Sequence, residues 1–326
     1  MEYVRLGNTG VKVSRICLGC MTFGNRASWM VEEADARTVL KKAWDLGINF
    51  YDTANVYSRG RSEEILGNFL KGSREDAVVA TKVYFVMGEG VNQRGISRKH
   101  IMWQISESLK RLGTDYVDLY QTHRWDYETP IVETLSTLND LVHTGKVRYI
   151  GASSMWAWQF AKALYTSDLH GFARFVSMQN LYNLIYREEE REMIPLCKEE
   201  KIALIPWGPI AAGILSGKYF QDGKIVHDEN KRLAPGGGER SFYPPNQPSN
   251  DEIVRRTIEL ATNKGVKPVQ IAIAWLLRKG VTAPIVGTAK IEHLEDFVGS
   301  LEVKISDEDS KFLEEPYVPR SVAGFQ

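Results

Sequence analysis

A carboxylate, a phenol, an ammonium and an imidazole stand at or just beyond the ends of three apolar runs of this chain. Asp52 closes INFYD and Tyr57 follows five residues later, Lys82 closes VVATK, and His123 closes VDLYQTH. Brought together, these groups could donate a proton from an unwilling acid. A phenol titrates near pH ~10 and is sluggish around neutrality unless its anion is stabilised. A neighbouring lysine ammonium does this, and a buried lysine keeps its charge only beside a compensating carboxylate. Asp52 is therefore expected to hold Lys82 charged, Lys82 to make Tyr57 a usable acid, and His123 to orient or polarise the oxygen that takes the proton. Each residue alone has an ordinary reading as a solvated or packed side chain. Their shared position at strand ends is what joins them.

That chemistry needs strands that all end at one mouth. Strand-like runs occur at ICLG near 16, INFYD near 48, VVATK near 78, VDLYQTH near 117, VRYIGAS near 147, FVSMQ near 175, ALIPW near 203 and APIVG near 283. Helical patterns alternate with them over 31–46, 62–70, 97–112, 130–144, 155–165, 187–200, 250–264 and 291–298. Ser97, and Ser249 with Asn250, are expected to cap two of these helices. Strand and helix alternating eight times imply parallel pairing with right-handed crossovers and closure into a (β/α)8 TIM barrel of the α/β class, one domain over 1–326. The rival is an open doubly wound sheet, but LGCMTFG after the first strand lacks the GxGxxG of a dinucleotide-binding turn. Outside the eightfold rhythm, EYVRLGNTGVKVS reads as an N-terminal β-hairpin plugging one barrel end. A long Gly- and Pro-rich stretch after Trp207 reads as a loop after strand 7 that is either functional or disordered. PVQIAIAWLLR reads as an extra, buried helix over 268–278.

Composition narrows the partners. With 41 basic and 41 acidic side chains in 326 residues, no net field favours nucleic acid or an anionic membrane. No apolar run is long enough to span a bilayer and MEYVRLGNTG does not read as a leader, so a soluble, cytoplasmic protein without membrane insertion is expected. Cys17, Cys20 and Cys197 form no disulfide framework. The CxxC of SRICLGC lies in a strand-like run, where residues three apart face opposite ways, so both cysteines read as buried small residues rather than a redox pair. The histidines and acids show no metal-ligand spacing, and no metal is expected.

The segments GINFYDTANVYSRGRSEEILG, VVATKV, TDYVDLYQTH, GKVRYIGASS, SMQNLYN, LIPWGPIAAGILSGKY and PIVGTAKIEHLED resemble the aldo-keto reductase superfamily over essentially the whole chain. They are most similar to its branch of aryl-alcohol dehydrogenase-like enzymes and potassium-channel beta subunits. The resemblance implies a barrel that binds NADPH in an extended form without a Rossmann domain and delivers hydride to an aldehyde or ketone, with Asp52, Tyr57, Lys82 and His123 as the tetrad. It implies that Trp207 stacks on the nicotinamide, that Ser153 and Gln179 hold the carboxamide, and that Cys20, Met21 and Asp52 meet the nicotinamide ribose. Gly208, Pro209, Ile210 and Ala211 approach the pyrophosphate on this reading, with Lys218 and Arg232 clasping it from the long loop. Gly287, Ala289, His293 and Asp296 fall at the adenosine end, and Lys290 near a 2′-phosphate. Two departures stand out: Gly208 where the family often has Ser, and Phe297 where it commonly has Asn.

Tyr84, Phe85, Trp125, Trp156 and Trp158 follow strand ends and are expected to line an apolar pocket for a small-molecule carbonyl substrate, an aromatic or medium-chain aldehyde rather than a charged sugar. One alternative makes Lys82 a Schiff-base nucleophile. Another makes the chain a redox-sensing NADP(H)-binding regulatory subunit with weak turnover, although the channel beta subunits tend to carry Asn where this chain has His123. Either a monomer or a homo-oligomer fits the sequence.

Overall fold

A computed structural model of the chain describes residues 1–227, 232–233 and 239–325. The chain opens with an antiparallel hairpin, β1 (Tyr3–Arg5) and β2 (Lys12–Ser14). The barrel strands follow: β3 (Cys17–Gly19), β4 (Phe50–Asp52), β5 (Val78–Val83), β6 (Val117–Thr122), β7 (Val147–Ser153), β8 (Phe175–Gln179) and β9 (Ala203–Leu204). After a small outer hairpin, β10 (Phe220–Gln221) and β11 (Lys224–Ile225), comes the last barrel strand, β12 (Ile285–Val286). The eight barrel strands pair in parallel in the order β12-β3-β4-β5-β6-β7-β8-β9. The ring closes where the amides of Thr282 and Ile285 donate to the carbonyls of Leu204 and Pro206, at 2.8 and 2.9 Å. All eight strands lie where the sequence places them.

Helices cover the outside: α1 (Glu33–Asp45), α2 (Arg61–Leu70), α3 (Arg98–Leu112), α4 (Ile131–His143), α5 (Ala157–His170), α6 (Met193–Glu199), α7 (Pro248–Lys264), α8 (Pro268–Arg278), α9 (Ile291–Gly299) and α10 (Asp307–Glu314). The apolar α8 is buried over most of its surface, as its composition requires. Several helix ends differ from expectation. Ser97 does cap α3, accepting from the His100 amide, but α7 starts two residues early, at Pro248. Ser249 and Asn250 thus lie inside its first turn, because proline needs no amide partner there. The α5 pattern continues to Gly171, which takes the left-handed conformation that ends a helix. Residues 188–190 form a separate 3-10 turn, shortening the expected 187–200 helix. Helix α10 was not anticipated; Ser306 caps it and Asp309 returns the bond.

Two apolar layers position the mouth. Inside the barrel, Leu6, Val13, Cys17, Phe50, Leu119, Ile205 and Ile285 pack together, so the N-terminal hairpin does plug one end. Gly7 makes that closure possible: its φ is +59°, and a Cβ there would lie 2.7 Å from the Val176 carbonyl oxygen. A larger cluster fills the space between strands and helices. Cys17, Cys20 and Cys197 are buried free thiols. The loop after β9 is partly structured, with a 3-10 turn over Ala211–Ser216 and the β10–β11 pair; its positions 228–231 and 234–238 lie outside the described residues. Among the described residues no helix is long and apolar enough to cross a membrane.

The packing of α2 on α3 depends on Gly67, where an added Cβ would lie 2.5 to 2.7 Å from the backbone of Leu112. Gly67→Ala should therefore lower stability by about 1–3 kcal/mol even though alanine is the better helix former. Gly10→Ala, where a Cβ meets nothing within 4 Å, should change it by less than about 0.5 kcal/mol. Urea midpoints for the two variants check this, and equal midpoints would contradict the close approach.

Candidate active site

The carboxyl end of every barrel strand contributes to one mouth. Asp52 is the last residue of β4, Lys82 lies in β5, and His123 follows β6 directly; Ser153 and Gln179 end β7 and β8. Met21 follows β3, Trp207 follows β9, and Gly287 follows β12. Tyr57 arrives differently, on a 3-10 turn after β4 whose next two residues, Ser58 and Arg59, are left-handed (φ +48° and +53°). Non-glycine residues in that region cost energy that surrounding contacts must supply, and such strain gathers at functional sites.

Lys82 is the hub. Its Nζ donates to Asp52 Oδ1 at 2.5 Å, to the Thr53 carbonyl at 2.8 Å and to Tyr57 Oη at 3.2 Å. These three acceptors satisfy all three of its donors. The ammonium is fully buried. Burial by itself would drive its pKa down, but Asp52 and Tyr57 outweigh it and hold the pKa above the ordinary lysine value, so the charge is kept. The other oxygen of Asp52 accepts from Gln121 Nε2 at 3.0 Å and Gln179 Nε2 at 2.9 Å.

For Tyr57, burial pushes the phenol above its ordinary value, while Lys82 opposes this through its charge and its hydrogen bond, and Arg124 through its charge. The net direction is upward, with Asp52 adding to the effect of burial, and Lys82 acts against the rise as its expected role requires. At neutral pH the proton is on the phenol and the cation lowers the cost of parting with it. His123 packs edge-on against Tyr57 and Phe85, with ring centroids 5.8 and 4.8 Å apart. Its Nδ1 is buried with no partner among the described residues. Burial, then Lys82 and Arg124, drive its pKa well below the usual histidine value, leaving a neutral imidazole.

A cavity of about 340 Å³ opens above these groups. Its walls include Met21, Asp52, Tyr57, Phe85, His123, Ser153, Gln179, Trp207, Gly208, Pro209, Ile210, Arg232 and Gly287 from the expected set. Cys20 and Ala211 are buried beside it without lining it. Ala289, Lys290, His293 and Asp296 lie beyond it; Lys290 and His293 are exposed, and Asp296 pairs with Lys267 at 2.7 Å. Lys218 is exposed, its ammonium 5.3 Å from the Tyr219 ring and away from the cavity walls. Of the expected substrate-pocket aromatics only Phe85 lines the cavity. Trp125 instead packs against Trp158 (6.1 Å), Trp156 against Phe325 (5.1 Å) and Tyr84 against Phe85 (5.3 Å).

The two departures have packing reasons. A Cβ on Gly208 would meet Leu181 at 2.9 Å and Tyr243 Oη at 3.0 Å, which leaves no room for serine. Phe297 is buried in the core. Several contributors were not foreseen. Trp29, Arg124, Glu239 and Phe242 line the cavity, and Gln121 holds Asp52. Ser154 Oγ accepts from Trp207 Nε1 at 3.2 Å, while the Ser154 amide donates to Asn180 Oδ1 at 2.8 Å. Asn180 in turn donates to Glu189, whose carboxyl burial pushes up to about 8. Gln121 and Arg124 flank His123 within one strand end, a signal present in YQTHRW; the fold alone brings in the rest.

The sequence profile of the Aldo/keto reductase family matches residues 15–317. An aldo-keto reductase of Fusarium vanettenii is 40% identical over 99% of this chain and 93% of its own length. The versiconal hemiacetal acetate reductase of Aspergillus parasiticus is 40% identical over 99% and 98%. A putative aryl-alcohol dehydrogenase of Saccharomyces cerevisiae is 39% identical over 98% of each.

The neutral His123 has a consequence for stability. The unfolded chain takes up a proton at this residue near pH ~6.5 and the folded chain does not, so below that pH the unfolded state binds more protons and stability falls. His123→Asn removes this contribution. Its stability, measured by urea denaturation between about pH 7.5 and 5.5, should fall less steeply than the parent's, by up to about 1 kcal/mol per pH unit. Parallel slopes would rule out the buried neutral imidazole.

Proposed function

The chain belongs to the Aldo/keto reductase family, and on that premise we propose that it reduces an aldehyde or ketone to the alcohol, with NADPH as reductant and Tyr57 as the acid. The observation that carries this reading is one buried ammonium, Lys82 Nζ, bonded both to Asp52 and to the phenol oxygen that faces the cavity. The reduced nicotinamide, when bound, supplies the hydride to the carbonyl carbon. Tyr57 donates its proton to the carbonyl oxygen, and Lys82 stabilises the phenolate left behind. Asp52 keeps Lys82 charged throughout. His123 presents an uncharged ring to the same oxygen and orients it without competing as an acid.

The cavity walls suit such a cofactor. Trp207 offers a flat apolar face whose indole N–H is tied to Ser154. The Ser153 hydroxyl donates to the Gln179 carbonyl and the Gln179 amide to Asp52, so toward a carboxamide both residues offer acceptor oxygens. The backbone is left-handed at Gly208, Ala211, Ala212 and Gly213, the two alanines at a cost in strain of the kind found at ligand clamps, and Arg232 adds a cation nearby. These features support a pyrophosphate there. Lys290 is the residue we assign to the 2′-phosphate, and NADP selectivity rests on it. On this reading the chain acts as one domain over 1–326, since all eight strand ends serve one cavity. The aromatic wall of Trp29, Phe85, Trp207 and Phe242, with the aryl-alcohol name of one relative, supports aromatic carbonyl substrates.

Tyr57→Phe should lower kcat by about a hundredfold or more while the Kd for NADPH, read by quenching of tryptophan fluorescence, stays within a few-fold. A variant that keeps most of its turnover would exclude Tyr57 as the acid. Lys290→Met should weaken NADPH by roughly three- to tenfold and leave NADH unchanged in the same titration. Equal effects on the two cofactors would remove Lys290 from the 2′-phosphate site.

A further inference from the structure

Charged side chains in a largely apolar cavity need counter-charges. Asp52 is answered by Lys82, and Arg232 forms an ion pair with Glu239. Arg124 is the exception: it lines the cavity, and no carboxylate stands within ion-pair distance of it among the described residues. One of its five N–H groups is spent, Nη1 donating to the His123 carbonyl at 2.7 Å. Its guanidinium lies 5.5 Å from the centroid of the Phe85 ring, which itself packs on His123, and its charge acts on Tyr57. Arg124 therefore stands at the reacting end of the cavity.

We propose that Arg124 receives a carboxylate carried by the substrate, so that the preferred substrates are carbonyl compounds bearing an acid group. This inference rests on the carbonyl-reduction reading above and names its substrate class. One uncompensated positive charge calls for one negative charge, because Lys82 is already neutralised by Asp52. The planar fork of the guanidinium matches a carboxylate in bidentate geometry, and partial desolvation strengthens such a pair. The surrounding Val56, Phe85, Phe242 and Trp207 would cover the apolar body of the same molecule.

The test uses 4-formylbenzoate and its methyl ester, which differ in charge at one end. Steady-state reduction with NADPH should favour the acid over the ester in the parent protein by about tenfold or more in kcat/KM. In Arg124→Met that ratio should fall at least tenfold, mainly through KM for the acid. Arg124→Lys, which keeps charge but not the fork, should retain part of the preference. Equilibrium binding of both compounds to protein saturated with NADP+, where no reduction occurs, should show the same order. Absence of an acid preference in the parent, or its survival in Arg124→Met, overturns the proposal. If neither compound is reduced but the binding preference exists and is lost in Arg124→Met, the carbonyl-reduction reading fails and Arg124 as the carboxylate site stands.

Discussion

The buried ion pair between Lys82 and Asp52 is the interaction on which the rest of the site depends. Taking both charges out of water is costly, and their attraction offsets that cost only when every remaining donor and acceptor is satisfied. Here they are: Lys82 divides its three donors among Asp52, Thr53 and Tyr57, and Asp52 takes two further bonds from Gln121 and Gln179. Four strands of the barrel rim, β4, β5, β6 and β8, meet in this network. The barrel must close with its strand ends in register for the charge to be tolerated at all. On the proposed reading, stability and chemistry are thus coupled through one ammonium.

The same network explains how two groups near each other are held in useful protonation states. Tyr57 is buried beside a cation, and burial wins, so the phenol rests protonated. A proton donor that rests loaded and leaves a stabilised anion suits the reaction proposed here better than one already ionised. His123 is pushed the other way by the same burial and the same cation, and rests neutral. A single low-dielectric pocket with a fixed positive charge at its base therefore sets both groups.

The upper cavity contrasts with this base. Its aromatic walls come from distant places, Trp29 before α1 and Phe242 in the loop after β9, whereas Trp125 and Trp158 pack on each other and Trp156 packs on Phe325. On the proposed reading Asp52, Lys82 and His123 stand at strand ends, while Tyr57 and the aromatic walls come from loops, as suits a barrel whose rigid strands position groups while its loops vary. Arg124 follows the end of β6 and lines the cavity beside Phe85, close enough to Tyr57 for its charge to act there.

Period-two and period-3.6 patterning determined the order of the eight barrel strands and most of their covering helices, because local burial requirements are written in adjacent residues. It also placed Asp52, Lys82 and His123 at strand ends, where a parallel barrel must bring them together. Helix ends are less legible, as at α7, where proline and an unused serine cap compete, and at α10, where the SDED capping signal heads a helix of only 8 residues. Tertiary structure alone decided the sign of the Tyr57 shift, the departure of Lys218, Trp125 and Trp156 from the cavity, and the isolation of Arg124. Each of these depends on which groups far apart in the chain share a desolvated space, and neither desolvation nor a missing counter-charge can be read from the order of residues.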